Sequence, residues 1–128
     1  MFSEDKEHYQ HEVQVSSIYQ EILSLLQQGE IEKADNLLSE ASLRYSTNAD
    51  LISLCGIRAY QKGNLEDASE FLKKACELEP HSAQILGNLG LVYNGLFKYR
   101  EALHLLDLSI SIDPNIPEVY NNRGNALK

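Results

Sequence analysis

Glycine recurs every 34 residues in this chain, at Gly56, Gly90 and Gly124, and three more ladders share that register: Ala34, Ala68, Ala102; Leu38, Leu72, Leu106; Pro80 and Pro114. A period of this size constrains the fold more than composition does. Each repeat must be one supersecondary unit too small to bury its own apolar face, so neighbours have to stack. The ladders divide the chain into blocks 15–48, 49–82, 83–116 and an incomplete 117–128, with no insertions between them. Residues 1–14 form an N-terminal extension, expected to be helical.

Within a block the apolar residues follow helical spacing. Leu51, Leu54 and Cys55 recur at three- and four-residue steps, and Leu65, Ala68, Leu72 and Ala75 do the same after Gly63-Asn64. Each block therefore reads as two helices joined by a tight turn. Asn64 is placed to cap the second helix, with Asp67 three residues on. Glu79-Pro80 closes that helix, because the residue before proline is driven out of the α region. Pro117 suits the first turn of a further helix, where a missing N–H is harmless.

Glycine inside a helix costs roughly 1 kcal/mol relative to alanine, so three glycines at one phase call for a packing reason. Gly56 on the first helix and Ala68 on the second are expected to face each other, letting the two backbones approach closely. Leucine at Ala68 or Ala102 is expected to overpack that seam by about 1–3 kcal/mol.

These residues resemble the tetratricopeptide repeat family from about Val15 to Lys128. LISLCGIRAYQKGNLEDASEFLKKACELEP, residues 51–80, matches the family pattern at its glycine, both alanines and the closing proline. In the following block Phe97 replaces the usual turn glycine and Ser109 the second small residue, with Gly95 available to supply the turn. The first block carries Ile22 at the glycine position and Ser46 in place of proline, as an atypical capping repeat would. The resemblance implies an all-α fold, an α-solenoid of antiparallel helix pairs forming a right-handed superhelix whose first helices line a concave groove.

By the same resemblance the groove positions, carried over one at a time, are Tyr19, Leu23 and Leu26 in the first block and Ser53, Ile57, Tyr60 and Gln61 in the second. The third block offers Gln84, Asn88, Leu91 and Asn94, and the last Asn121, Asn122 and Asn125. Asn88 and Asn122 stand 34 apart in a slot where long superhelices of this family place asparagines that bond a peptide backbone, a task suited to a group that both donates and accepts. Two alternatives stand beside this assignment. Leu23, Leu26 and Ile57 are core residues if their helices are rotated by one position, and the two asparagines are simply solvated. Some members grip a chaperone's terminal carboxylate with lysines and arginines. The matching slots here hold Tyr19, Leu23, Asn88, Glu118 and Asn122, which disfavours that ligand.

The implied function is a non-catalytic scaffold that holds a peptide or protein segment, without a cofactor. Composition agrees in what it excludes. A formal charge of −8 repels nucleic acid and anionic membranes. Residues 1–48, with three basic and nine acidic side chains, hold most of that excess. Cys55 and Cys76 lack metal or redox spacing and read as small apolar core residues. His8 and His11 share a helix face without further ligands, and His81 and His104 have no nucleophile at diagnostic spacing. A charged N-terminus without an apolar stretch makes the cytoplasm the expected compartment. Ending after one helix of a fourth repeat, the chain is expected to expose Val119, Tyr120 and Leu127 and to self-associate through 117–128, or to continue. Two further alternatives are a targeting module of a larger enzyme, such as a glycosyltransferase, kinase or peptidase, and a small acidic chaperone for secreted proteins.

Overall fold

A computed structural model describes the backbone of residues 2–128 and the side chains from residue 9 onward; the His8 side chain lies outside the described residues. Among the described residues seven helices follow in order: α1 Phe2–Gln27, α2 Ile31–Arg44, α3 Ala49–Gln61, α4 Leu65–Leu78, α5 Ala83–Gly95, α6 Tyr99–Ile112 and α7 Pro117–Ala126. The backbone of α1 runs unbroken through residues 14 and 15.

The chain divides into two compact units, residues 1–46 and 47–128. In the first, α1 packs on α2, with Val15, Ile22, Ala34, Leu38, Ala41 and Tyr45 buried. Ile22, at the register of the ladder glycines, is fully buried. In the second unit α3 pairs with α4, α5 with α6, and α7 packs against both α5 and α6. One core cluster joins Ile52, Ala68, Leu72, Ile85, Leu89 and Val92, and another joins Ala102, Leu106 and Val119. Leu72 and Leu106 are wholly excluded from solvent, each worth about 1.5–3 kcal/mol of apolar burial.

The glycine ladder works by admitting those leucines. A Cβ on Gly56 would lie 2.6 Å from Leu72 Cγ and 3.2 Å from the Ala68 carbonyl oxygen; on Gly90 it would lie 2.6 Å from Leu106 Cδ2 and 3.5 Å from the Ala102 carbonyl oxygen. What faces each glycine is therefore a leucine side chain, with the alanine one turn earlier contributing its backbone. Gly87 is as tightly placed, its Cβ position 2.8 Å from Val119 Cγ2. That contact corrects the expected apolar stripe on α7: Val119 is 1% exposed, and only Tyr120 and Leu127, at 47% and 58%, remain on the surface.

The tight turns also differ from expectation. Gly29, Gly63 and Phe97, spaced by 34, all have positive φ, at 81°, 83° and 62°. At each, the positive-φ residue's N–H reaches the carbonyl three residues back and the next N–H reaches five back, as in Gly63 to Tyr60 and Asn64 to Ala59, or Phe97 to Asn94 and Lys98 to Tyr93. Phe97 thus adopts the left-handed conformation itself, and Gly95 stays helical at the end of α5, where its Cβ position is 3.2 Å from Leu65 Cδ1. Asn64 occupies the N-cap position of α4 but makes no side-chain cap bond. Its ψ of 73° departs from the 109° and 108° of Asn48 and Ser82. Those two do cap, accepting from Leu51 N at 3.0 Å and Ile85 N at 3.3 Å. Cys55 is half-buried, and Cys76 is half-buried and packs against the first core cluster. Burial, and secondarily Glu77, pushes the Cys76 thiol up to about 11.

Candidate peptide-binding face

The first helices of the second unit, α3, α5 and α7, adjoin one another, with α5 touching both neighbours. Most of the residues expected to line a groove lie on them. Ile57 and Leu91 are half-buried, neither lost in the core nor fully exposed. Tyr60 is half-buried against the core. Gln61 is exposed and accepts a hydrogen bond from the Arg58 guanidinium. Gln84, Asn121 and Asn125 are exposed. Tyr19, Leu23 and Leu26 belong to α1 in the first unit and are half-buried there.

The amide-bearing residues are less uniform than their sequence suggests. Gln84 donates to Asn88 Oδ1 at 3.2 Å, and Asn88 Nδ2 donates to Ser53 Oγ at 3.4 Å, a chain that crosses from α5 to α3. Ser53 is buried, so its hydroxyl serves this crossing. Asn94 Nδ2 donates to the Asn122 main-chain carbonyl at 2.8 Å and ties α5 to α7. Its Oδ1 is buried with no partner, an arrangement that costs free energy. Asn122 is itself buried. Asn88 and Asn122, equivalent in sequence, are therefore unequal in place: only Asn88 is half-exposed, with one donor and one acceptor position still open.

Two side chains outside the expected groove positions also make bonds in this unit. Arg58, one residue beyond Ile57, is held by Gln61, and its i, i+3 spacing was the available signal. Ser109, at the second small position of its block, is fully buried and donates to the Ala83 carbonyl at 2.7 Å, joining α6 to the start of α5. Among the described residues no group of three or more His, Cys, Asp or Glu side chains could hold a metal ion, and no helix is long and apolar enough to cross a membrane.

Family models confirm the origin of the register. One described as TPR repeat matches residues 56–96, and one described as tetratricopeptide repeat matches residues 83–116. Residues 56–116 carry tetratricopeptide repeats. It is similar to the TPR repeat-containing protein YvcD of Bacillus subtilis, 31% identical over 71 residues, covering 55% of this chain and 15% of that protein. It is also similar to the BBSome complex member BBS4 of Bos taurus, 40% identical over 53 residues, covering 41% of this chain and 10% of that one. The chain thus spans a small part of the length of these relatives. Among solved structures, the Sgt2 TPR domain of Aspergillus fumigatus superposes with a TM-score of 0.79 at 18% identity, over 89% of this chain and 77% of that one. The first TPR of Spaghetti (RPAP3), bound to the HSP90 peptide SRMEEVD, gives 0.79 at 15% identity, over 88% of this chain and 90% of that one. Those likenesses establish an all-α tetratricopeptide fold.

Proposed function

We propose that the face formed by α3, α5 and α7 binds a peptide segment of another protein and that the chain acts as a non-catalytic interaction module. The observation that carries this reading is the grouping of half-exposed Ile57 and Leu91 with Asn88, whose amide keeps one donor and one acceptor position available. Apolar anchors beside a bidentate amide suit an extended segment, whose backbone offers a donor and an acceptor at every residue. The fold neighbours bound to the HSP90 peptide SRMEEVD and the HSP70 peptide SGPTIEEVD support a peptide ligand in general. The carboxylate-gripping slots of the family hold Asn88, Glu118 and Asn122 in this unit, with no cation, so the segment proposed here is neutral with apolar side chains.

The test is selection of peptides from a random display library against the whole chain, followed by titration of the recovered peptides against wild type and Asn88→Ala plus Leu91→Ala. The double variant should bind roughly tenfold or more weakly, the loss of one buried anchor and one hydrogen bond. Equal binding by the two proteins would place the site elsewhere. Asn122→Ala is a poor probe of this face, because Asn122 is buried.

Self-association through α7 is a second reading, favoured by exposed Tyr120 and Leu127 and by Gly124, beside which no atom lies within 4 Å of a Cβ position. A strict monomer by light scattering at high concentration would dismiss it.

A further inference from the structure

A second surface lies at the turn between α5 and α6. Phe97, Lys98, Tyr99 and Arg100 are all exposed. Phe97 is 76% exposed and has a φ of 62°, a conformation that disfavours a side chain with a Cβ. Its ring meets Tyr99 edge-on at 6.2 Å and otherwise faces solvent. Conformational strain together with apolar exposure contributes nothing to folding, while the equivalent turns use Gly29 and Gly63. Beside it, two ammonium groups from different elements converge on one ring: Lys98 Nζ lies 5.7 Å and Lys73 Nζ, from α4, lies 5.9 Å from the Tyr93 centroid. Among the described residues neither lysine meets a carboxylate, although the chain carries 19 acidic side chains against 11 basic ones. Each ammonium group is held by the one ring and left available to an anion.

We infer that this edge, built from Lys73, Tyr93, Phe97, Lys98 and Tyr99, docks an acidic peptide segment that also carries an apolar residue. Carboxylates of the segment pair with Lys73 and Lys98, and the apolar residue packs against Phe97 and Tyr99. Charge complementarity decides the class. The cations are few and local, set in a chain of net charge −8, which suits a short acidic segment and repels the extended phosphate backbone of a nucleic acid. The inference is independent of the face formed by α3, α5 and α7.

The test uses the full chain and a fluorescein-labelled peptide of alternating Glu-Leu-Asp-Gly blocks, read by fluorescence anisotropy beside its Gln-Leu-Asn-Gly counterpart. Wild type should prefer the acidic peptide, and the preference should shrink as salt rises. Lys73→Gln plus Lys98→Gln should weaken the acidic peptide about tenfold, as expected for losing two rim-exposed charge contacts. Phe97→Gly gives the discriminating result: the melting temperature should rise as the left-handed strain is relieved, while affinity falls. A merely structural role for Phe97 cannot move the two readouts in opposite directions. Asn88→Ala plus Leu91→Ala should leave this binding unchanged. The inference is overturned by equal affinity for the two peptides, by no binding at low salt, by loss of binding in the Asn88 and Leu91 variant, or by unaltered affinity in Phe97→Gly. Tighter binding of single-stranded RNA, or dimerisation of the chain that Phe97→Gly abolishes, would also overturn it.

Discussion

Alanine at Gly90 and alanine at Gly124 should shift stability in opposite directions, although the two positions share one register. In an open helix the exchange gains about 1 kcal/mol, the propensity difference between the residues. At Gly90 the new Cβ would sit 2.6 Å from Leu106 Cδ2 and 2.7 Å from Leu106 Cγ, far inside the ~3.5–4.0 Å of favourable carbon contact. Leu106 is wholly buried and cannot swing to solvent, and its Cγ is close to its own backbone, so the helices must part. Overpacking of this kind costs about 1–3 kcal/mol, which outweighs the propensity gain and leaves Gly90→Ala destabilised by up to about 2 kcal/mol. At Gly124 no atom lies within 4 Å, so the propensity gain stands, trimmed by the nearby helix end at Ala126. Thermal and urea melts of the full chain followed by circular dichroism should show the two variants on either side of wild type. The clash also predicts coupling: Gly90→Ala should cost less in a Leu106→Ala background by about 1 kcal/mol or more. A Gly90→Ala variant that melts at or above wild type, or costs that simply add, would refute the reasoning.

Asn48→Ala should lower stability by about 1 kcal/mol through loss of its bond to Leu51 N, whereas Asn64→Ala, which removes no cap bond, should be close to neutral in the same melts. Ser109→Ala should cost roughly 1 kcal/mol, and hydrogen exchange should locate the loosening at the start of α5, where Ser109 meets the Ala83 carbonyl. In a Cys55→Ser background, iodoacetamide should label Cys76 slowly until the pH nears about 11, because burial raises the thiol from 9.0. The sign for stability follows from the raised value: the contribution is complete below about 9 and is lost as pH climbs toward about 11, since the unfolded thiol ionises first.

The helix pairs were legible because their signals are local. Apolar residues at three- and four-residue steps define a face, and prolines mark where it stops. The turn at Phe97 was legible as an exception, but its resolution was not. Whether Gly95 or Phe97 takes the positive φ depends on the pattern of backbone bonds closing the turn, which puts residue 97 in the same place as Gly29 and Gly63. The groove positions were carried over from the family resemblance by register, and register treats Asn88 and Asn122 alike. The structure separates them, since Asn122 lies buried on α7 and Asn88 reaches Ser53 across two helices.

By itself the sequence determined the number of helical pairs, their phase and the need for small residues at that phase, since each follows from spacing along one chain. Only the tertiary structure decided that leucines occupy the space left by Gly56 and Gly90, that Val119 is covered through Gly87, and that Asn94 and Ser109 tie helices together. The physical reason is that a period fixes where a side chain points on its own helix and says nothing of what a neighbouring helix sets opposite it. Burial and hydrogen-bond satisfaction are properties of that opposite partner.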